Sequence, residues 1–207
     1  LVVDDVITNL KVVAGMLARL GVRAELVDSG RAALEAINRA AFPVIFMDCQ
    51  MPGMDGFEAT ALIRARHGAG EGPRIIAMTA NAAGADRDRC LAHGMDDYLA
   101  KPIMLSDPGR VLHRWMLGGA GAGRSARLAT VTAASTGTET VDRRKLDELA
   151  GLLSAAEFGA LCARFTHDAE TQLTAFAAGL AAGHFVAARQ AAHALKGAAA
   201  NMGAAAL

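Results

Sequence analysis

The stretch Val44-Ile45-Phe46-Met47-Asp48-Cys49-Gln50-Met51-Pro52-Gly53-Met54-Asp55-Gly56 runs from a continuous apolar segment straight into a turn. Four apolar residues in a row, with Pro and Gly soon after, suit a strand covered on both faces in a parallel sheet. Asp48 ends that run. A carboxylate is costly inside a core, so the strand must leave the core there. In open α/β sheets that edge is where ligands bind. Pro52, Gly53 and Gly56 then punctuate a turn before an amphipathic stretch. Asp48 would also suit a simple helix cap, so its surroundings must decide its role.

Working back to the start of the chain, Leu1-Val2-Val3 reads as another strand, followed at its C-terminal end by Asp4 and Asp5. Leu10, Val13, Ala14, Leu17 and Leu20 recur at helical spacing over 9–20, and Gly21 stops that helix. Residues 23–27 read as a second strand. Ser29 caps a second helix running to Arg39, with Ala33, Leu34 and Ile37 inward. Beyond the turn, a third helix covers 57–66 and a fourth strand covers 75–78, ending at Thr79. A fourth helix covers 85–93 and stops at Gly94. A short fifth strand, 98–100, ends at Lys101-Pro102, and Asp107-Pro108 open a fifth helix to Leu117 as N-cap and first helical residue.

Strands alternating with helices in this way predict a doubly wound, five-stranded parallel sheet of the α/β class. All the polar strand ends, namely Asp4, Asp5, Asp48, Thr79 and Lys101, then converge on one edge. Carboxylates crowded together repel unless they are protonated or bridged by a cation. Mg²⁺, a hard ion that takes oxygen ligands, suits them and leaves positions open for phosphate oxygens. Lys101 offers a compact positive charge to an anion, and Thr79 offers a hydroxyl. Asp48 can then attack phosphorus and carry an aspartyl phosphate.

The whole chain is 53% hydrophobic but only 4% aromatic, with abundant Ala and Gly, which favours closely packed helices. Its 21 basic and 21 acidic side chains balance, and neither half is a basic surface for nucleic acid. Cys49, Cys90 and Cys162 are far apart and in no metal-ligand spacing, as reduced cytosolic thiols would be, with Cys49 and Cys90 as packing residues. No apolar run approaches the roughly 18 residues of a membrane span, and no signal peptide is visible. We therefore expect cytoplasmic residues without direct membrane contact, in a parent protein that an inner-membrane anchor could hold. The chain opens within a strand and closes within helical material, which reads as a piece of a longer protein.

Residues 1–117 resemble a two-component receiver domain. The matching pieces are Val3-Asp4-Asp5, Met47 to Gly56, Met78-Thr79-Ala80-Asn81 and Lys101-Pro102. The resemblance implies a flavodoxin-like fold and Mg²⁺-dependent phosphorylation of Asp48. It implies metal contacts from Asp5, Asp48 and the backbone carbonyl of Gln50, with Asp4 in the same acidic pocket, and a phosphoryl group held by Thr79 and Lys101. Tyr98 matches the family's switch aromatic, acting with Thr79. A half-buried ring with a wet hydroxyl is the other reading. Asp55 suits the turn before the third helix better than a metal. His67, His93 and His113 read as ordinary surface or helix-end residues.

Periodicity disappears over 118–140, a Gly-, Ala-, Thr- and Ser-rich stretch that reads as a flexible linker. The region 141–207 then reads as helices. Asp142 caps the first, to Leu153. Ser154 caps the second, in which Phe158, Leu161, Cys162, Phe165, Ala169, Leu173, Phe176 and Leu180 repeat every three or four residues until Gly183. The third runs from about Phe185 to the end, with a core stripe of Ala188, Ala192, Leu195, Ala199 and Met202. This is an antiparallel, all-α bundle. His193 falls on a neighbouring, exposed face with Lys196, Gly197 and Ala200. A glycine inside a helix costs about 1 kcal/mol relative to alanine. Here it clears space beside the imidazole, and Lys196 can neutralise an anion on the ring. His167 and His184 read as surface residues.

His193 with Leu195, Lys196, Gly197, Asn201 and Gly203 resembles the phosphorylation motif of histidine-containing phosphotransfer (HPt) domains, whose fold is a four-helix bundle. The family continues where this chain stops. We therefore expect a C-terminally truncated HPt domain at 141–207 with part of its apolar stripe exposed, less stable than the first half and loosely packed. The joint expectation is a phosphorelay fragment resembling the C-terminal part of a hybrid sensor histidine kinase. Its partners would be an upstream histidine kinase core and a downstream receiver domain. No glycine-rich ATP motif is present, so kinase activity is not expected of these residues. A freestanding response regulator with an attached HPt domain is the alternative. An aspartate-nucleophile phosphatase would carry a second acid two residues after the nucleophile, where Gln50 stands. A purely structural module would not need the set Asp5, Asp48, Thr79, Lys101 and His193.

Overall fold

The computed structural model describes residues 1–67, 71–79, 84–117 and 141–204. The linker reading for 118–140, and Ala80 and Asn81, lie outside the described residues. Five strands form one parallel sheet in the order β2-β1-β3-β4-β5: β1 (Val2–Val3), β2 (Leu26–Val27), β3 (Val44–Asp48), β4 (Arg74–Thr79) and β5 (Asp97–Ala100). The helices between them are α1 (Ile7–Arg19), α2 (Gly30–Arg39), α3 (Gly56–His67) and α4 (Gly84–Ala92). After β5, α5 (Ser106–Leu112) continues into a π-helical turn, His113–Leu117. All five residues of β3 are buried, as a strand covered on both faces requires.

Two apolar layers flank the sheet. On one side Leu10, Val13, Met16, Leu17, Phe46, Ile76, Met78, Ile103 and Val111 pack together. On the other are Ala33, Ala36, Ile45, Met47, Ile63, Ile75 and Cys90. The β3 side chains alternate between these layers, as strand geometry demands.

The second half is α6 (Arg143–Leu152), α7 (Ala155–Ala181) and α8 (Phe185–Asn201). Asp142 caps α6 by accepting from the Lys145 N–H (3.2 Å). Ser154 and Glu157 form a reciprocal capping box at the start of α7. Gly203 has φ +77°, and a Cβ there would sit 2.9 Å from the Asp142 carbonyl oxygen. Only glycine fits that turn, which ties the end of α8 to the start of α6 through Asp142 N–H to Gly203 O (2.6 Å).

The halves are not separate cores. Leu149, Leu161 and Met202 belong to the same apolar cluster as Leu10, Val13 and Ile103. This corrects the expectation of an exposed stripe on α8. Ala188, Leu195, Ala199 and Met202 are buried, while Ala192 is exposed. Ala191, Ala194 and Ala198 are buried beside them. The reason is that α8 packs on α7 and on α1 at once. Exposed apolar residues lie instead toward the α7–α8 turn, at Leu173, Leu180, Phe185 and Val186.

A second correction concerns α5. Its first residue is Ser106, and Leu105 holds the cap position without a side-chain bond. Asp107 lies inside the first turn, accepting from the Met104 N–H (2.8 Å) and pairing with Arg110. Pro108 is then the third helical residue, still within the turn where a missing N–H is harmless.

Candidate functional site

The site forms where β1, β3, β4 and β5 end. Parallel pairing sets Asp48 opposite Met78 and Thr79 opposite Ala100, so Asp48, Thr79 and Lys101 emerge at one level. Asp4 and Asp5 follow β1. Carboxylate oxygens of Asp4, Asp5 and Asp48 lie within 4.8 Å of one another. Three hard oxygen donors at that spacing suit a divalent ion such as Mg²⁺. Gly56 is required below them: a Cβ there would lie 2.1 Å from the Asp48 carbonyl oxygen. Asp55 caps α3 through the Glu58 N–H (2.8 Å), which is the turn-shaping position read from the sequence.

Lys101 joins the acids. Its Nζ is 2.7 Å from Asp48 Oδ2 and 2.8 Å from Asp4 Oδ2, with all three side chains buried. Burial works against the ammonium charge, but the two carboxylates outweigh it and hold the lysine protonated. Burial pushes Asp48 up to about 7, against the pull of Lys101 and with a further push from Asp4. Asp5 rises to about 6, from burial first and Asp4 next. Asp48 Oδ1 also accepts from the Gln50 N–H (3.3 Å), and Gln50 itself is exposed. Asp4 is fully engaged. Its Oδ1 accepts from the Val6 N–H (3.0 Å) and the Asn9 amide (2.9 Å), and its Oδ2 accepts from Asn9 (3.1 Å) and Lys101.

Thr79 is buried at the rim, and its carbonyl accepts from the Lys101 N–H (2.7 Å). Tyr98 is half-buried against the α3 side of the sheet. Cys49 and Cys90 are buried with their sulfurs 3.8 Å apart, consistent with packing.

Residues 1–111 match the response regulator receiver domain, and residues 160–207 match the Hpt domain. The chain belongs to the receiver family. Its relatives include the sensor histidine kinase GacS of Pseudomonas protegens, 42% identical over an alignment of 120 residues that covers 56% of this chain. The chain covers only 13% of GacS. The receiver domain of sensor histidine kinase PA1611 from Pseudomonas aeruginosa, solved with a magnesium ion in its active-site cleft, is 42% identical with a TM-score of 0.50, over 56% of this chain and 93% of that one. A complex of the Saccharomyces cerevisiae phosphotransfer protein Ypd1 with the receiver domain of Ssk1 matches at 26% identity and TM-score 0.51, over 55% of this chain and 85% of that one. A receiver followed by an Hpt domain implies phosphorelay signalling, and the acidic triad is typical of the receiver magnesium site.

The Hpt helix lies on the receiver pocket. Gly197 of α8 faces it: a Cβ at 197 would meet Asn9 Nδ2 at 3.7 Å and Lys101 Cδ at 3.8 Å. His193, one turn earlier on α8, is half-buried rather than exposed. Burial first, then the nearby Lys101 charge, lowers its pKa, with Asp4 opposing and Lys196 and Arg189 adding to the fall. The imidazole is therefore neutral near pH 7, the form that offers a nucleophilic lone pair. Lys196 itself is exposed. A cavity of about 210 Å³ opens along the seam, lined by Asp5, Arg164, His167, Asp168 and Leu195 among others.

Sequence reasoning singled out Asn201 only within the HPt motif, and missed its partner and the other residues that join the halves. Thr8 Oγ1 donates to Asp168 Oδ2 (3.2 Å), Asn201 bonds Asn9, and Lys145 bonds the Ile103 carbonyl. The one available signal was spacing. Lys145 sits four residues before the buried Leu149, on the same face of α6.

Proposed function

We propose that this chain accepts a phosphoryl group on Asp48 and exchanges it with His193 inside one docked arrangement of its own two domains. The observation that carries this reading is the seat of the His193–Gly197 face of α8 over the pocket of Asp4, Asp48 and Lys101. In the transfer, the bond from phosphorus to the Asp48 oxygen breaks as a bond to an imidazole nitrogen of His193 forms, and the electron pair returns to the carboxylate. Neutral His193 needs no prior deprotonation. Lys101 and the Thr79 hydroxyl hold the phosphoryl oxygens, and Lys196 offsets charge on the phosphohistidine.

Asp5, Asp48 and the Gln50 carbonyl would hold Mg²⁺, with Asp4 supporting from the same pocket. When bound, Mg²⁺ neutralises charge on the phosphoryl oxygens. Tyr98 and Thr79 report the phosphorylated state as a switch pair. Residues 1–117 serve as receiver, 118–140 as linker and 141–207 as the Hpt domain.

The likeness to sensor histidine kinase GacS supports a parent protein of that kind, and we propose that these residues form the C-terminal part of a hybrid sensor histidine kinase, with a kinase core as donor and another receiver as acceptor. We assign these residues to the cytoplasm. Among the described residues, no helix is long and apolar enough to cross a membrane. The test is phosphorylation by acetyl phosphate with Mg²⁺, followed by intact mass and adduct stability. Loss of the base-labile adduct in Asp48→Asn and of the acid-labile adduct in His193→Gln is the expected result. An adduct pattern untouched by either substitution would overturn the reading.

A further inference from the structure

The two halves are joined by a hydrogen-bond chain with a single polarity. Asp4 offers only acceptors to its partners, so the Asn9 side chain must turn its NH₂ toward it, at 2.9 and 3.1 Å. The Asn9 oxygen then faces away and accepts from Asn201 Nδ2 at 2.9 Å. That leaves the Asn201 oxygen to accept from the Ile103 N–H at 3.1 Å. On the other side of residue 103, its carbonyl accepts from the Lys145 ammonium at 2.5 Å. Every donor along the chain points toward Asp4, from a cation at one end to a carboxylate at the other. Asn201 and Asn9 each accept and donate through one conjugated amide, so the bonds from the Ile103 N–H to Asp4 polarise one another in the same sense, and Lys145 adds a separate hold on the next peptide unit.

Burial makes the chain exacting. Asn201 is 0% exposed, Asn9 2% and Lys145 4%. A buried amide left without a partner costs the full desolvation of that group. Asn201 reaches the two receiver segments that supply the pocket: the start of α1 behind Asp4, and the loop after Lys101. Lys145 grips that second loop from α6. Ile103 is therefore held at both its N–H and its C=O by the second half.

We infer that Asn201 and Lys145 are positioning residues by which the Hpt half recognises its own receiver, setting His193 against the pocket by gripping Ile103 and Asn9. This rests on the phosphotransfer reading for its consequence, while the grip itself can be measured without phosphate. The polarity makes a specific demand. Asn201→Asp is nearly isosteric and keeps an acceptor for Ile103, but it turns a carboxylate toward the Asn9 oxygen.

The experiment uses the full 207-residue chain. Amide exchange of Ile103 is followed by NMR without phosphodonor, and the fraction of phosphoryl group reaching His193 is followed by intact mass after acetyl phosphate with Mg²⁺. Asn201→Asp and Lys145→Met should each speed Ile103 exchange and lower the His193 fraction by about tenfold, the scale of one lost buried bond. Asn9→Ala removes the oxygen that opposes the new carboxylate. In that background the further effect of Asn201→Asp should shrink to about threefold or less, a non-additivity that a general loss of packing would not give. Ile103 exchange unchanged in both single variants, or effects that simply add in the double variant, would overturn the inference. Altered Ile103 exchange in a protein that takes no phosphate on Asp48 would uphold the grip and overturn the phosphorelay reading alone.

Discussion

Gly197 of the Hpt half and Lys101 of the receiver face each other so closely that a methyl group on Gly197 would lie 4.0 Å from the lysine Nζ. That is ordinary van der Waals distance, so there is room for one carbon and little more. Gly197→Ala should keep the halves docked and stabilise α8 by up to about 1 kcal/mol through helix propensity. Gly197→Leu should lift α8 from the pocket and cut the His193 adduct by about tenfold or more. Urea melts and intact mass after acetyl phosphate check the pair of expectations. Equal transfer in Gly197→Leu would contradict the close seat.

The raised pKa values of Asp48 and Asp5 set the pH dependence of the metal-free protein. In the unfolded chain both return to the ordinary 3.8 of an aspartate, whereas in the fold they stand at about 7 and about 6. The folded state therefore keeps protons that the unfolded state has lost. The contribution is favourable below about pH 4 and is lost as pH rises through 6 and 7. Thermal melts in a chelator should fall from pH 5 to pH 8, less steeply in Asp48→Asn. Mg²⁺ should raise Tm more at pH 8 than at pH 5, because the carboxylates must be free of protons to bind it. A chelated Tm that rises across this range would contradict the buried, crowded carboxylates.

His193 titrates below its ordinary 6.5, from burial and then Lys101. Its contribution to stability is present above the unfolded value and is lost as pH falls toward the lowered folded value. Because part of the cause lies in the receiver, Lys101→Met should move the His193 midpoint upward. Histidine NMR titration of both proteins measures this. A midpoint indifferent to Lys101→Met would mean that the imidazole does not sense the receiver pocket.

Leu161 lies in the Hpt match yet packs in the same cluster as Leu10, Val13 and Leu17 of α1. Trp115, the single tryptophan, lies in the receiver half against that cluster. Leu161→Ala should cost about 2–5 kcal/mol, as buried leucines do, and should move the urea transition seen by Trp115 fluorescence. A Trp115 transition left in place would show that the halves unfold independently.

The receiver was legible because its signals are local. Apolar runs such as Val44–Met47, each closed by a polar residue, mark buried parallel strands, and parallel pairing brings their ends together. Asp48, Thr79 and Lys101 lie where that logic places them. The start of α5 was misread because Asp107 caps Met104 from inside the first turn, and an acid before Pro looks alike in either register. The docked interface left little trace. Ala191, Ala194 and Ala198 cannot be told from the rest of an Ala-rich helix by periodicity. Asn201 stood out only as part of the HPt motif, and neither it nor Asn9 nor Lys145 carries a local signal for the partner that buries it in the other half of the chain.

The most direct test of the central claim is where phosphate goes in a single chain. The 207-residue chain is treated with acetyl phosphate and Mg²⁺, the donor is removed, and the acid-labile fraction is followed over time at increasing dilution. The docked arrangement predicts that phosphate appears at His193 at a rate independent of protein concentration, and not at all in Asp48→Asn. A rate that falls in proportion to dilution, or a His193 adduct that survives Asp48→Asn, would contradict transfer within the docked chain.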